Sequence, residues 1–126
     1  MFGPPGHWYV YFTYGMHWCA NAVCGPEGSG EAVLLRAAVA LTGVEMIRAR
    51  RPAARRDQDL TNGPAKLAQA FSMDAGTDGT DLCSPESPVW LGTDGVRLPV
   101  IRTTARVGIS VGTDRLWRFC AEGAPK

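Results

Sequence analysis

The chain has 126 residues, of which 45% are hydrophobic, and its 13 basic and 12 acidic side chains give a formal net charge of +1. This length suits one compact domain, and the ordinary composition argues against wholesale disorder. The net charge is too small to indicate a partner. No apolar run reaches the roughly 20 residues of a membrane span, and the N-terminus lacks the basic start and apolar stretch of a secretory signal.

The basic residues are unevenly distributed along the chain. Residues 1–47 contain one arginine, Arg36, whereas RARRPAARR (48–56) contains five. A further group lies near the C-terminus: Arg97, Arg102, Arg106, Arg115 and Arg118. Such clusters can create a basic surface on a near-neutral protein. A solvated helix face and loop would explain the first cluster equally well.

The four cysteines, at positions 19, 24, 83 and 120, show no metal or redox spacing. We expect buried or incidental free thiols, no bound metal and a reducing cytoplasm. The sequence also lacks a phosphate-binding P-loop, a GxGxxG motif and a recognisable Ser/His/Asp arrangement.

The first predicted elements are strands over 8–14, 18–23 and 31–39, and the third is apolar enough to be buried on both sides. Alternation in the first strand places Tyr9, Tyr11 and Thr13 on one face and Trp8, Val10, Phe12 and Tyr14 on the other.

Two helices are predicted next, over 41–51 and 60–73, the second with Asn62 near its cap and Pro64 in its first turn. Residues 74–88 are rich in turn formers and predict a loop. Further short strands are predicted over 89–91, 96–101, 106–110 and 116–123. This order predicts a single α+β domain over residues 1–126 with a mostly antiparallel sheet.

The aromatic segment HWYVYFTYGMHW (7–18) is the most informative part of the chain. An ordinary half-buried strand is one explanation. However, tyrosine hydroxyls need partners when buried, and Tyr14 stands at a strand tip beside Gly15. Rings on a sheet surface can stack on nucleobases, and a ring at a tip can wedge between base pairs.

Three polar residues complete the set of candidates. Asn21 can discriminate a purine edge through its amide, unless it is a turn or capping residue. Arg36 is alone in an apolar strand, so it either forms a structural ion pair or points into a site. Lys66 lies in NGPAKL, where a helix start offers N–H groups to phosphate.

In order along the chain, YVYFTYGMHWCANAVCG, AVLLRAA, NGPAKLAQAF, ARVGIS and WRF resemble the alkyladenine (3-methyladenine) DNA glycosylase family. The resemblance implies a monomeric, cofactor-free enzyme of base-excision repair, here bacterial and associated with the nucleoid through DNA. Such enzymes flip alkylated purines out of duplex DNA and hydrolyse the N-glycosidic bond. Family substrates include 3-methyladenine, 7-methylguanine and hypoxanthine. The implied fold is a curved, mainly antiparallel sheet with a few helices, similar to the barrel of formyltransferase C-terminal domains.

The resemblance also implies roles for individual residues. Tyr11 would be one wall of the base pocket, and Asn21 would line that pocket. Tyr14 would be the wedge that fills the gap left by the flipped base. Arg36 and Lys66 would contact the DNA backbone.

The family's general base, a glutamate in a Glu-Ala-Tyr motif, has no counterpart in this sequence. The family places that motif upstream of the aromatic strand, and MFGPPG resembles an internal segment of the family. We therefore expect an N-terminally truncated glycosylase with little or no activity by itself. A non-catalytic damaged-DNA-binding remnant is the alternative.

Overall fold

The computed structural model describes residues 2–13, 17–93, 95, 101–104 and 118–121. Contacts divide these residues into two units, one up to Gly92 and one from Thr93 onward. The first unit contains β1 (Trp8–Phe12), β2 (Trp18–Cys24), β3 (Glu31–Leu34), α1 (Val44–Arg50), a 3-10 turn (Asp57–Asp59) and α2 (Pro64–Ala70). The second contains β4 (Ile101–Thr104) and β5 (Arg118–Ala121).

The strand pairs among the described residues are all antiparallel, in agreement with the mostly antiparallel sheet that the sequence predicts. The first unit has a three-stranded sheet in the order β1-β2-β3, and the second has the two-stranded pair β4-β5. The described residues therefore form an α+β structure with antiparallel sheets and two α-helices, and they do not form a closed barrel. That residues 1–126 make a single domain stays a prediction.

The main core lies on one face of the three-stranded sheet. Trp8 and Val10 of β1 and Ala20 of β2 point toward α2, where Ala68 is fully buried. Trp8 is 1% exposed, and its indole N–H donates to the backbone oxygen of Val89 at 2.8 Å. Burial of a tryptophan usually requires such a partner. The predicted alternation of β1 is confirmed at Trp8 and Val10, whereas Phe12 is exposed.

A second cluster lies between the two helices. Ile47 of α1 packs with Leu60 and Ala70, and all three side chains are buried. The start of α2 agrees with the sequence at Pro64, which occupies the first turn. Asn62 lies next to the cap, as predicted, because the N-cap is Gly63, and the cap has no side-chain hydrogen bond.

The outer edge of β1 is covered by the loop 77–82. Gly79 N–H donates to Trp8 O at 2.8 Å, and Trp8 N–H donates to Thr80 O at 2.9 Å. The carboxylate of Asp78 accepts from Val10 N–H at 2.8 Å. These bonds satisfy backbone groups that an open edge strand would leave unpaired.

Two strand predictions are wrong. The third strand ends at Leu34 rather than at 39, and Val33 is exposed, so β3 is not buried on both sides. Residues 89–91 form no strand, because two single hydrogen bonds hold them instead of a strand ladder. The Trp8 indole donates to Val89 O, and Leu91 N–H donates to Leu82 O. Predictions for 106–110, and for most of 96–101, lie outside the described residues.

We predict that Trp8→Ala lowers the free energy of unfolding by about 3–5 kcal/mol, because it removes a buried ring and leaves Val89 O without its donor. Trp90→Ala is the matched control, since Trp90 is 49% exposed, and it should change stability by only about 0.5 kcal/mol. Urea unfolding of both variants measures the difference. Equal losses would contradict this assignment of the core.

Candidate functional site

The sheet face opposite the core carries two tyrosines beside a thiol and an amide. In the register of β1 and β2, Tyr9 lies opposite Asn21 and Tyr11 lies opposite Cys19. We call these four residues the aromatic face. The two rings lie with centroids 5.2 Å apart and planes inclined by 30°. Tyr11 is 38% exposed, so its ring is available to a flat ligand.

Asn21 occupies the middle of β2 and is only 8% exposed. This position excludes the alternative that it is a turn or capping residue. Its Nδ2 donates to Tyr9 O at 3.2 Å, which fixes the amide against the neighbouring strand. Within the described part of the chain, Oδ1 accepts no hydrogen bond, so one acceptor remains for a ligand.

The surroundings of Tyr11 favour its neutral phenol. Partial burial raises the pKa of Tyr11 above its usual value, and the charge of Cys19 and a hydrogen bond to that thiol raise it further. The hydroxyl therefore stays protonated at physiological pH, and the ring presents an uncharged π-surface.

Of the other three predicted site residues, the structure describes Arg36 and Lys66, whereas Tyr14 lies outside the described residues. Arg36 follows β3 by two residues and is half-buried. Among the described residues it has no hydrogen bond or ion pair. Lys66 lies on α2, where its Nζ donates to Asn62 Oδ1 at 3.0 Å.

Lys66 lines an open cleft of about 530 Å³, which we call the basic cleft. Its walls come from the residue just before β2, from the segment after α1 and from α2. The charged and polar lining residues are His17, Arg51, Arg55, Asp59, Lys66 and Gln69. Three cations against one carboxylate make the lining positive.

Arg51 is the buried cation of the basic cleft, with 9% of its surface exposed. Its Nη1 donates to Gln69 Oε1 at 2.7 Å, and its Nη2 donates to Asp59 O at 3.3 Å. Its Nε is buried and has no partner among the residues that the structure describes. A buried donor in this state costs about 1–3 kcal/mol, so the arrangement calls for a further acceptor.

The carboxylate of the basic cleft is already paired. Arg56 donates to both oxygens of Asp59, at 3.1 and 3.2 Å, and Asn62 donates to one of them. The hydrogen bonds from Arg56 are the main reason that the pKa of Asp59 lies below its usual value. Asp59 therefore stays ionised but offers little free charge to neutralise Arg51, Arg55 or Lys66.

In the sequence, RARRPAARR (48–56) reads as one cluster, whereas the structure separates its members. Arg48 is exposed and pairs with Glu45 and Asp57, as a solvated helix face would. Arg51 instead turns inward and lines the basic cleft. The only sequence signal for this difference is position, since Arg51 immediately precedes the helix-ending Pro52.

Three further observations concern the described residues. No group of three or more His, Cys, Asp or Glu side chains in that part of the chain could hold a metal ion. No helix there is long and apolar enough to cross a membrane. All four cysteines are free, as predicted, but none of them is buried.

Comparison with known proteins supplies the family. Residues 1–125 match the family described as Methylpurine-DNA glycosylase (MPG). The chain belongs to this family. Relatives in the methylpurine-DNA glycosylase family include proteins of Burkholderia cenocepacia, 50% identical over 124 residues, and Streptomyces avermitilis, 49% identical over 128 residues. Both carry the name "Putative 3-methyladenine DNA glycosylase".

The chain is shorter than the relatives it matches. The alignments cover 98% and 99% of this chain but only 60% of each of the two relatives. A Mycobacterium tuberculosis relative, 42% identical over 126 residues, is covered to 61%. The match therefore assigns the whole chain to the family while leaving a substantial part of each glycosylase without a counterpart here.

We predict that Cys19→Ala lowers the pKa of Tyr11 part of the way toward its usual value. The substitution removes the thiol's charge and hydrogen bond but leaves the larger effect, burial, in place. Ultraviolet titration of the phenols, with Tyr11→Phe to assign the transition, measures this change. An unchanged pKa of Tyr11 in the Cys19→Ala variant would contradict the interaction between the phenol and the thiol.

The same shift has a consequence for stability. Because the pKa of Tyr11 is higher in the folded than in the unfolded chain, its contribution is complete below the unfolded value near 10. That contribution is lost as the pH rises through the folded pKa. As the pH rises through this alkaline range, the free energy of unfolding should decrease less for Tyr11→Phe than for the unaltered chain.

Proposed function

We propose that this chain acts in base-excision repair as an alkylpurine DNA glycosylase, with 3-methyladenine and 7-methylguanine as the substrate class and hypoxanthine as a further substrate. The observation that carries the proposal is the aromatic face, where the exposed ring of Tyr11 shares one side of the sheet with the fixed amide of Asn21. It agrees with the family to which the chain belongs.

The aromatic face suits a base that has left the duplex. A flipped purine can stack on Tyr11, and stacking of this kind contributes about 1–3 kcal/mol per base. Alkylated purines are cationic, so the electron-rich rings of Tyr9 and Tyr11 favour them over normal bases. Asn21, with its unpaired Oδ1, would contact the purine edge. Tyr14, between β1 and β2 in the sequence, would fill the space that the base leaves.

The polypeptide would bind DNA as a monomer, with residues 1–126 forming one domain. Arg36 and Lys66 would contact the backbone of the strand that carries the damaged base. Arg36 supports this role because no protein group in the described residues neutralises it. These contacts position the DNA, whereas the aromatic face recognises the base.

Hydrolysis needs a general base, and the aromatic face lacks one. The only carboxylate in β1, β2 or β3 is Glu31, which pairs in register with Cys24 and therefore lies on the opposite face from Tyr11 and Asn21. We therefore propose that these 126 residues bind damaged DNA but hydrolyse it slowly. The same observation favours, as the second candidate, a damaged-DNA binder without catalysis.

We predict that Tyr11→Ala weakens binding to an alkylated duplex about 5- to 150-fold, which corresponds to the loss of one stacked base. Binding to an undamaged duplex should change little, because no base is flipped there. Fluorescence anisotropy with the two duplexes measures both affinities.

Phe12→Ala is the matched control for this experiment. Phe12 follows Tyr11 in β1 and is also exposed, but alternation places it on the other face of the sheet. It should leave the preference for the alkylated duplex unchanged. If both substitutions reduced that preference equally, recognition by the aromatic face would be wrong.

We predict that the 126-residue chain releases 3-methyladenine from alkylated duplex DNA about 10²–10⁴-fold more slowly than the longer Burkholderia cenocepacia relative, the usual contribution of a general base. Chromatography of freed bases measures both rates. A rate equal to that of the relative would place a working general base within these residues and contradict the slow-hydrolysis proposal. Binding without any release would favour the second candidate.

A further inference from the structure

The basic cleft is separate from the aromatic face in its residues, and the proposed function uses only Lys66 of its lining, as a contact to the DNA backbone. Its lining nevertheless contains three cations, one of which, Arg51, is nine-tenths buried. A cleft with this composition requires a ligand that supplies negative charge and several acceptor oxygens.

The hydrogen bonds of the basic cleft show how much donor capacity is free. Arg51 Nε has no partner, and Arg55 has no hydrogen bond or ion pair within the described residues. Lys66 uses one of its three N–H donors on Asn62. Asp59, the one anion in the lining, is already bound by Arg56 and Asn62.

The position of the basic cleft relates it to the hairpin that carries the aromatic face. His17 lines the cleft and also closes the described end of the β1–β2 hairpin, where its backbone oxygen accepts from Thr13 N–H at 2.7 Å. The cleft therefore adjoins the described end of the hairpin that carries Tyr11.

We propose that the basic cleft is a phosphate-binding site that holds one phosphodiester of the DNA strand, with Arg51, Arg55 and Lys66 as its cations. Arg51 is fixed by Gln69 and by Asp59 O, so it is ordered before the ligand arrives. Arg55 and Lys66 close on the same phosphate from the rim. The assignment of DNA as the source rests on the proposed function, whereas the affinity for phosphate does not.

The test uses the number of phosphates that the protein neutralises. On duplex DNA, log affinity decreases with log salt, and the plot becomes less steep by about 0.9 for each phosphate that the protein no longer neutralises. If Arg55 and Lys66 together neutralise one phosphate, the double variant Arg55→Gln/Lys66→Gln reduces the steepness by about 0.9 in total. If they bind different phosphates, the steepness decreases by about 1.8 and the shared site is wrong.

Arg48→Gln is the control for the arginine substitution, because it removes one positive charge from the same basic segment as Arg55 but outside the cleft lining, where Glu45 and Asp57 already pair with the arginine. Its salt slope should equal that of the unaltered chain. Titrations use an undamaged duplex, and thermal unfolding verifies that each variant is folded. Arg51 is left unchanged because its bonds to Gln69 and Asp59 O also hold the fold.

Inorganic phosphate separates the two sources of the ligand. We expect it to raise the thermal midpoint of the unaltered chain and of Arg48→Gln but not that of the double variant. Suppose that phosphate stabilised the unaltered chain but not the double variant, while the salt slope for DNA was the same in both. The phosphodiester assignment would then be wrong. If the double variant changed neither the DNA salt dependence nor the stabilisation by phosphate, the phosphate site itself would be wrong. If the unaltered chain showed no preference for alkylated DNA, while the double variant changed the salt slope as expected, only the proposed function would be wrong.

Discussion

The pairing of β1 with β2 decides which side chains enter the core and which remain available to a ligand. With Tyr9 opposite Asn21, the alternation of both strands directs Trp8, Val10 and Ala20 toward α2 and leaves the tyrosines outside. A slip of one residue would exchange the two faces of β1, placing phenols in the core and Trp8 in solvent. Burial of Trp8 therefore fixes the register, and the register creates the aromatic face.

The basic cleft depends on a different kind of constraint. Its buried arginine is held by an amide and a backbone carbonyl rather than by a carboxylate. Neutral partners orient a guanidinium without cancelling its charge. Meanwhile, Arg56 and Asn62 satisfy Asp59, which would otherwise be the natural partner of Arg51. The local pairing of one carboxylate thus preserves positive potential for a ligand a few residues away.

The elements that could be predicted from the sequence are those whose pattern is local. Period-two alternation located β1 and its two faces, and Pro64 marked the start of α2. The extent of β3 was overestimated because an apolar run such as 31–39 does not reveal where pairing stops. Leu35 still donates to Ala20 O, but Ala38 already bonds with Thr61 instead of with a strand. The end of the strand is therefore set by a distant segment.

The site residues also divide into those that the sequence indicates and those that depend on contacts between distant segments. The family resemblance pointed to Tyr11 and Asn21, and register explains why they share a face. Beyond its position before Pro52, nothing in the sequence distinguishes Arg51 from Arg48, because the difference lies in contacts with Gln69 and Asp59, 18 and 8 residues farther along the chain. Composition records that arginines are present, but only the packing of α2 against the segment after α1 determines which one is buried.

The loop that covers the outer edge of β1 has a consequence for how this protein can diverge. Its hydrogen bonds to Trp8 join backbone atoms, which every amino acid except proline can supply. Asp78 adds a side-chain acceptor for Val10 N–H. Gly79 has a φ of 80°, which side chains rarely adopt, so this position favours glycine. Replacement of Asp78 would leave Val10 N–H without its acceptor. Over evolutionary time, selection at this edge therefore acts on the identity of residues 78 and 79, since one supplies the acceptor and the other permits the path of the backbone.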